Sequence, residues 1–158
     1  MGFASSANIT RMGHTSRGFN GKRLVGYAES HDEERLMYEN LNYGLSNTNY
    51  NTKDLATALD RMELNAAFFF TIPGPKMFWQ FDELGYHYSI NYCPDGTIDP
   101  GCRTSNKPIR WDYFEDPDRY RLYRAFGAVF KLKRDFKKSC FVSSITFFIT
   151  REGYQNYC

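Results

Sequence analysis

Six ionisable residues fall within seven positions, Glu29-Ser30-His31-Asp32-Glu33-Glu34-Arg35. The cluster holds one imidazole, four carboxylates and one guanidinium. It has no thiol, and Ser30 is its only hydroxyl. That inventory suits proton transfer or the stabilisation of developing charge better than acyl transfer. A metal reading of His31, Asp32 and Glu34 is disfavoured, because ligands so close along an irregular segment converge poorly on one ion. A second, smaller acidic pair, Asp82-Glu83, follows another apolar run.

Each cluster needs an element to present it. Leu24, Val25, Tyr27 and Ala28 form a short apolar, β-prone run, which predicts a buried strand over 24–30 with the polar cluster at its mouth. A helical turn is expected over Glu34 to Tyr43, then a polar loop from Gly44 to Asn51. The clearest helix follows. Asn51 or Thr52 can cap it, Asp54 suits its first turn, and Leu55, Leu59, Met62, Ala66 and Phe69 recur at helical spacing. It must stop before Pro73-Gly74-Pro75. Pro75 to Phe81 reads as a second strand ending in Asp82 and Glu83. Strand, acidic mouth, helix, strand, acidic mouth is the order of a βαβ unit, with both mouths at one end of a parallel sheet. A long irregular loop over 85–115 carries Arg103, Lys107, Arg110 and Trp111. Asp116 then caps a helix with Pro117 at its first position and Leu122, Phe126, Val129 and Leu132 or Lys133 along its buried side. Beyond Lys138 the pattern degrades, although Ser139 to Ile149 has the composition of a strand.

Composition narrows the classes further. With 42% hydrophobic and 24% charged residues in 158, the chain is globular and of single-domain size. A net charge of +2 with one short basic run, Lys131 to Lys138, argues against a nucleic-acid surface. No apolar run reaches membrane-spanning length. No signal peptide is visible, so the compartment is left open. Cys93, Cys102, Cys140 and Cys158 match no zinc spacing. Cys93 and Cys102 bracket a Pro-Asp-Gly-Thr-Ile-Asp-Pro-Gly loop and either close it as a disulfide, in an oxidising compartment, or remain free thiols. Asn8-Ile9-Thr10 fits the common glycosylation triplet and carries little weight.

Two stretches also carry a family resemblance. Tyr27-Ala28-Glu29-Ser30-His31-Asp32 resembles the conserved apolar strand and Glu-Asn-His-Asp pattern of the α-amylase family (glycoside hydrolase family 13). Pro73 to Gly85, with its Pro-Gly, apolar run and Asp-Glu, resembles that family's last barrel strand. The order matches, with one helix between, over roughly residues 20–135. The resemblance implies an α/β fold, a partial (β/α)8 TIM barrel made of the last two βα units, with residues 1–138 its C-terminal part and 139–158 an unassigned tail.

The same resemblance implies a fragment of a retaining α-glucan-active glycoside hydrolase, with an α-glucan or maltooligosaccharide as substrate and no cofactor. His31 would bond sugar hydroxyls. Asp32 would grip the 2- and 3-hydroxyls and favour an oxocarbenium-like transition state. Glu29, Arg35, Trp79 and Glu83 are the further substrate-binding candidates. The family's nucleophile strand, Gly-x-Arg-x-Asp, and its separate acid-bearing strand have no counterpart here, so catalysis would need the missing barrel portion or self-association. Asp82 stands where the family usually has Gly, which brings the shape of that turn into question. A non-catalytic α-glucan-binding module and a non-functional truncated product are the alternatives.

Overall fold

The computed structural model describes residues 10–135 and the backbone of 146–150 and 153–157. Asn8, Lys137, Lys138, Cys140 and Cys158, and with them the glycosylation triplet and the end of the basic run, lie outside the described residues. Three helices form the frame: α1 (Leu36–Tyr43), α2 (Leu55–Phe69) and α3 (Pro117–Asp135). The last two are the ones that periodicity predicts. Their caps are local. Asp54, rather than Asn51 or Thr52, caps α2 by accepting from the Thr57 amide at 3.1 Å. Asp116 caps α3 by accepting from the Asp118 and Arg119 amides at 2.9 and 3.1 Å.

The core is where α2 meets α3. Ala58, Leu59, Met62, Ala66 and Phe69 of α2 are buried with Leu122 and Phe126 of α3, and Met37 of α1 joins them. Leu55 and Leu132, expected in the stripes, are instead exposed. Phe70 extends the core as an aromatic hub, with its ring centroid 5.2 Å from Phe126 and 4.7 Å from Phe130, both edge-on.

The barrel expectation is corrected. Between residues 10 and 135 no strand forms, so the protein is helical and looped and not a partial (β/α)8 barrel. The two predicted strands are extended segments that touch once, in a parallel bridge between Gly26 and Lys76. Two hydrogen bonds make it, Gly26 N to the Pro75 carbonyl (3.0 Å) and Met77 N to the Gly26 carbonyl (2.9 Å). Neither segment is sandwiched between helices. Val25 and Tyr27 stay about half exposed, so the apolar run is a one-sided lining and not the buried strand that its composition suggests. The strands that do form, β1 (Thr146–Thr150) and β2 (Gly153–Tyr157), make an antiparallel hairpin, whereas barrel strands are parallel.

The 85–115 loop is irregular as expected, punctuated by short 3-10 turns at Pro100–Cys102 and Trp111–Glu115. Cys93 and Cys102 are joined as a disulfide. Turn bonds brace the closed loop, with Cys93 N donating to the Thr97 carbonyl (2.8 Å) and Asp99 N to the Asn91 carbonyl (3.0 Å).

Candidate functional site

The two polar mouths converge even without a sheet, because the bridge at Gly26 and Lys76 starts both segments side by side. What the cluster builds is a buried base carrying an exposed tip. Glu29 and Arg35 are 2% and 0% exposed and pair at 2.7 Å. The other Glu29 oxygen accepts from the Leu36 amide at 2.8 Å. A carboxylate from six residues upstream of Arg35 therefore satisfies an amide at the start of α1, where negative charge is favoured. The Arg35 guanidinium lies 4.9 Å from the Tyr86 ring centroid and 5.8 Å from that of Trp79, and reaches the Gln80 carbonyl at 3.4 Å. Glu29 and Arg35, expected to touch substrate, are thus occupied with each other. They position the loop instead.

Glu34 ties this base to the disulfide loop. It accepts from Ser89 Oγ at 2.6 Å and from the Ile90 amide at 2.7 Å. Arg103, just beyond the disulfide, donates to the Asp32 carbonyl at 2.8 Å. Ser30 Oγ accepts from the Asp32 amide at 3.2 Å and itself donates to Glu33. The tip is thereby held on both sides. Its side chains, His31 and Asp32, are 70% and 66% exposed and lie 3.3 Å apart, Nε2 to Oδ2. The Trp79 ring stands 6.1 Å from the His31 ring, tilted at 44°.

Beyond Trp79 opens a cleft of about 320 Å³, lined by Phe78, Trp79, Gln80, Phe81, Glu83, Ile109 and Trp111. Trp111 is 71% exposed and meets Phe81 edge-on at 4.8 Å. Glu83 has a buried carboxylate oxygen with no hydrogen-bond partner. Burial raises the pKa of Glu83 above its ordinary 4.5. His31 and Asp32 thus stand beside Trp79, and Trp79 and Glu83 line the cleft. Among the described residues no group of three or more His, Cys, Asp or Glu is arranged to hold a metal ion.

The turn at Asp82 answers the question its side chain raised. The left-handed residue there is Phe81, at φ 58°, and Asp82 opens the 3-10 turn that follows. The side chain at 82 therefore costs no backbone strain. The cost is electrostatic, because Asp82 is 2% exposed and its Oδ1 has no partner. Desolvation first, then the Glu29 charge, push its pKa well above the ordinary 3.8, while Arg35 pulls it down only in part. Glu29 is likewise raised, by burial against the opposing pull of Arg35.

The sequence reading names Glu34, Arg103 and Asp82 but misses their structural parts. A run of four acids in seven positions does not reveal which carboxylate turns inward, and an arginine 71 residues away leaves no local signal.

No protein-family model matches this chain, and no curated protein matches it.

Proposed function

We propose that this chain supplies the sugar-gripping side of a retaining α-glucan-active glycoside hydrolase of the α-amylase type, and does not cleave by itself. The observation that carries the reading is the exposed His31–Asp32 pair held on a buried Glu29–Arg35 base beside Trp79. Asp32 offers acceptor oxygens to a vicinal pair of sugar hydroxyls, and His31 a ring nitrogen to a third. Trp79 and Trp111 offer indole planes, and Glu83 an unpartnered oxygen, to adjoining residues of the glucan. Hydrogen bonds to the 2-hydroxyl that strengthen as the ring flattens lower the barrier to glycosidic cleavage. A retaining reaction also needs a nucleophilic carboxylate and an acid about 5 Å apart across the bond. The tip offers substrate one carboxylate, Asp32, which lies 3.3 Å from His31, since Glu33 and Glu34 are engaged by Ser30, Ser89 and Ile90.

The aromatic cleft favours a second reading, a module that holds α-glucan without cleaving it at all. One experiment addresses both. The chain is run in native gels with and without amylose and assayed on a chromogenic maltoside. Retardation by amylose, weakened at least about tenfold by Asp32→Ala through loss of a charged acceptor, is the expected result, with no hydrolysis. Retardation lost with Trp111→Ala but kept in Asp32→Ala favours the module. No retardation at all overturns both readings.

A further inference from the structure

Away from the cleft, two lysines meet where no acid accompanies them. Lys133 of α3 donates to the Ile72 and Gly74 carbonyls at 3.0 and 2.8 Å. Lys76 donates to the Pro73 and Gly74 carbonyls at 3.4 and 3.2 Å. Two amines thus share one carbonyl oxygen. Gly74 is packed closely against the 22–24 segment. It sits at φ 104°, and a Cβ there would lie 2.7 Å from the Leu24 carbonyl oxygen. The Lys76 stem packs over Gly26, where an added Cβ would come within 3.5 Å of Cδ and Cε. Its Nζ lies 5.6 Å from the Phe69 ring centroid. The elements around Lys76 therefore offer an aromatic face from α2, bare backbone from the 24–28 segment and a like charge from α3. Among the described residues neither lysine has a carboxylate within ion-pair distance.

We propose that the Lys76 ε-amine is an acylation site, taking acyl groups from thioester donors, because the fold holds it against apolar surface and beside Lys133 with no counter-ion. Burial, then the Lys133 charge, lower Lys76 to about 8. In the reaction the Lys76 lone pair attacks the thioester carbonyl carbon. A C–N bond forms, the C–S bond breaks, the sulfur leaves as thiolate with the electron pair, and the amine's proton passes to solvent. The amide keeps an N–H for the Gly74 carbonyl and removes a cation from beside Lys133. Modification therefore relieves a cost that the unmodified fold bears.

The test uses the whole chain and the acetyl thioester of N-acetylcysteamine at pH 7.5, with rates read lysine by lysine by peptide mass spectrometry. Exposed Lys22, Lys53 and Lys131 are internal references. Lys76 is expected to acetylate about 20-fold faster than these, from a free-base fraction about 200-fold higher offset by about tenfold lower nucleophilicity. The advantage should shrink in Lys133→Met and vanish in urea. A Lys76 rate at or below the exposed lysines overturns the proposal. So does an advantage that survives urea, or one that Lys133→Met leaves unchanged.

Discussion

Asp82→Asn should stabilise this protein, and the gain should grow with pH. Asp82 is buried with one oxygen unpartnered, and its folded pKa is raised above the unfolded 3.8. An acid whose folded pKa is raised holds its proton longer in the folded state. Its favourable contribution is therefore fully present below pH 3.8 and is lost as pH rises toward the folded pKa. Asparagine copies the shape of the protonated acid and cannot ionise. The two proteins should differ little near pH 3.5. Above 3.8 the wild type should fall behind by about 1.4 kcal/mol per pH unit for as long as Asp82 stays protonated in the fold. For a chain of 158 residues that is about 4 °C in midpoint per pH unit. Comparing two proteins matters, because neighbours titrate in the same range. Glu29 and Glu83 are raised and share the sign of Asp82. His87 is lowered to about 4, by burial and then by Arg119 and Arg110, so its contribution runs the other way and is lost on acidification. The His87 contribution is common to both curves and cancels in the difference, whereas Glu29 and Glu83 feel the Asp82 charge and titrate with it, so the difference reports the acid cluster around Asp82. The assay is urea denaturation of both proteins at half-unit steps from pH 3.5 to 7.5. A variant that loses ground to the wild type as pH rises would show Asp82 ionised and paired with Arg35, and would refute the reasoning.

Two other perturbations test the frame. Reducing the Cys93–Cys102 bond, which spans a sequence separation of 9, should cost about 2.6 kcal/mol by loop-closure entropy, read as a lower urea midpoint in reductant. Gly85→Ala should cost about 2–5 kcal/mol in the same assay, because Gly85 has φ 66° and an added Cβ would lie 2.5 Å from Leu59 Cδ2.

The helices were legible because their signals are local. Asp116 and Pro117 mark the start of α3 within two residues, and the spacing of Leu59, Met62, Ala66 and Phe69 gives the inward face of α2. The strands were misread for a physical reason. An apolar β-prone run states that a segment is extended, not that anything lies on both sides of it. Leu24 to Tyr27 and Lys76 to Trp79 are extended and meet in parallel, but two hydrogen bonds make a bridge and not a sheet. At the site, His31 and Asp32 were legible as part of a polar cluster that follows an apolar run, but their place beside Trp79 was not. The roles of Glu29, Arg35, Glu34 and Asp82 were not. Which charge is buried is set by contacts 45 to 56 residues away, such as Arg35 with the Gln80 carbonyl and Glu34 with Ile90.

Those contacts also set an order of opening. The α2 cap at Asp54 closes over three residues, whereas Glu34 waits for Ser89 and Ile90, and Arg103 must cross 71 residues to reach Asp32. The Leu59–Leu122 core contact spans a similar separation but is buried and apolar, whereas the bonds of Glu34 and Arg103 are polar and part-buried or exposed, and such bonds open first. The amides of the loop that carries His31 and Asp32 should exchange with solvent through sub-global openings that leave the Leu59–Leu122 core closed, so the helical frame can be intact in molecules whose exposed His31–Asp32 tip is not.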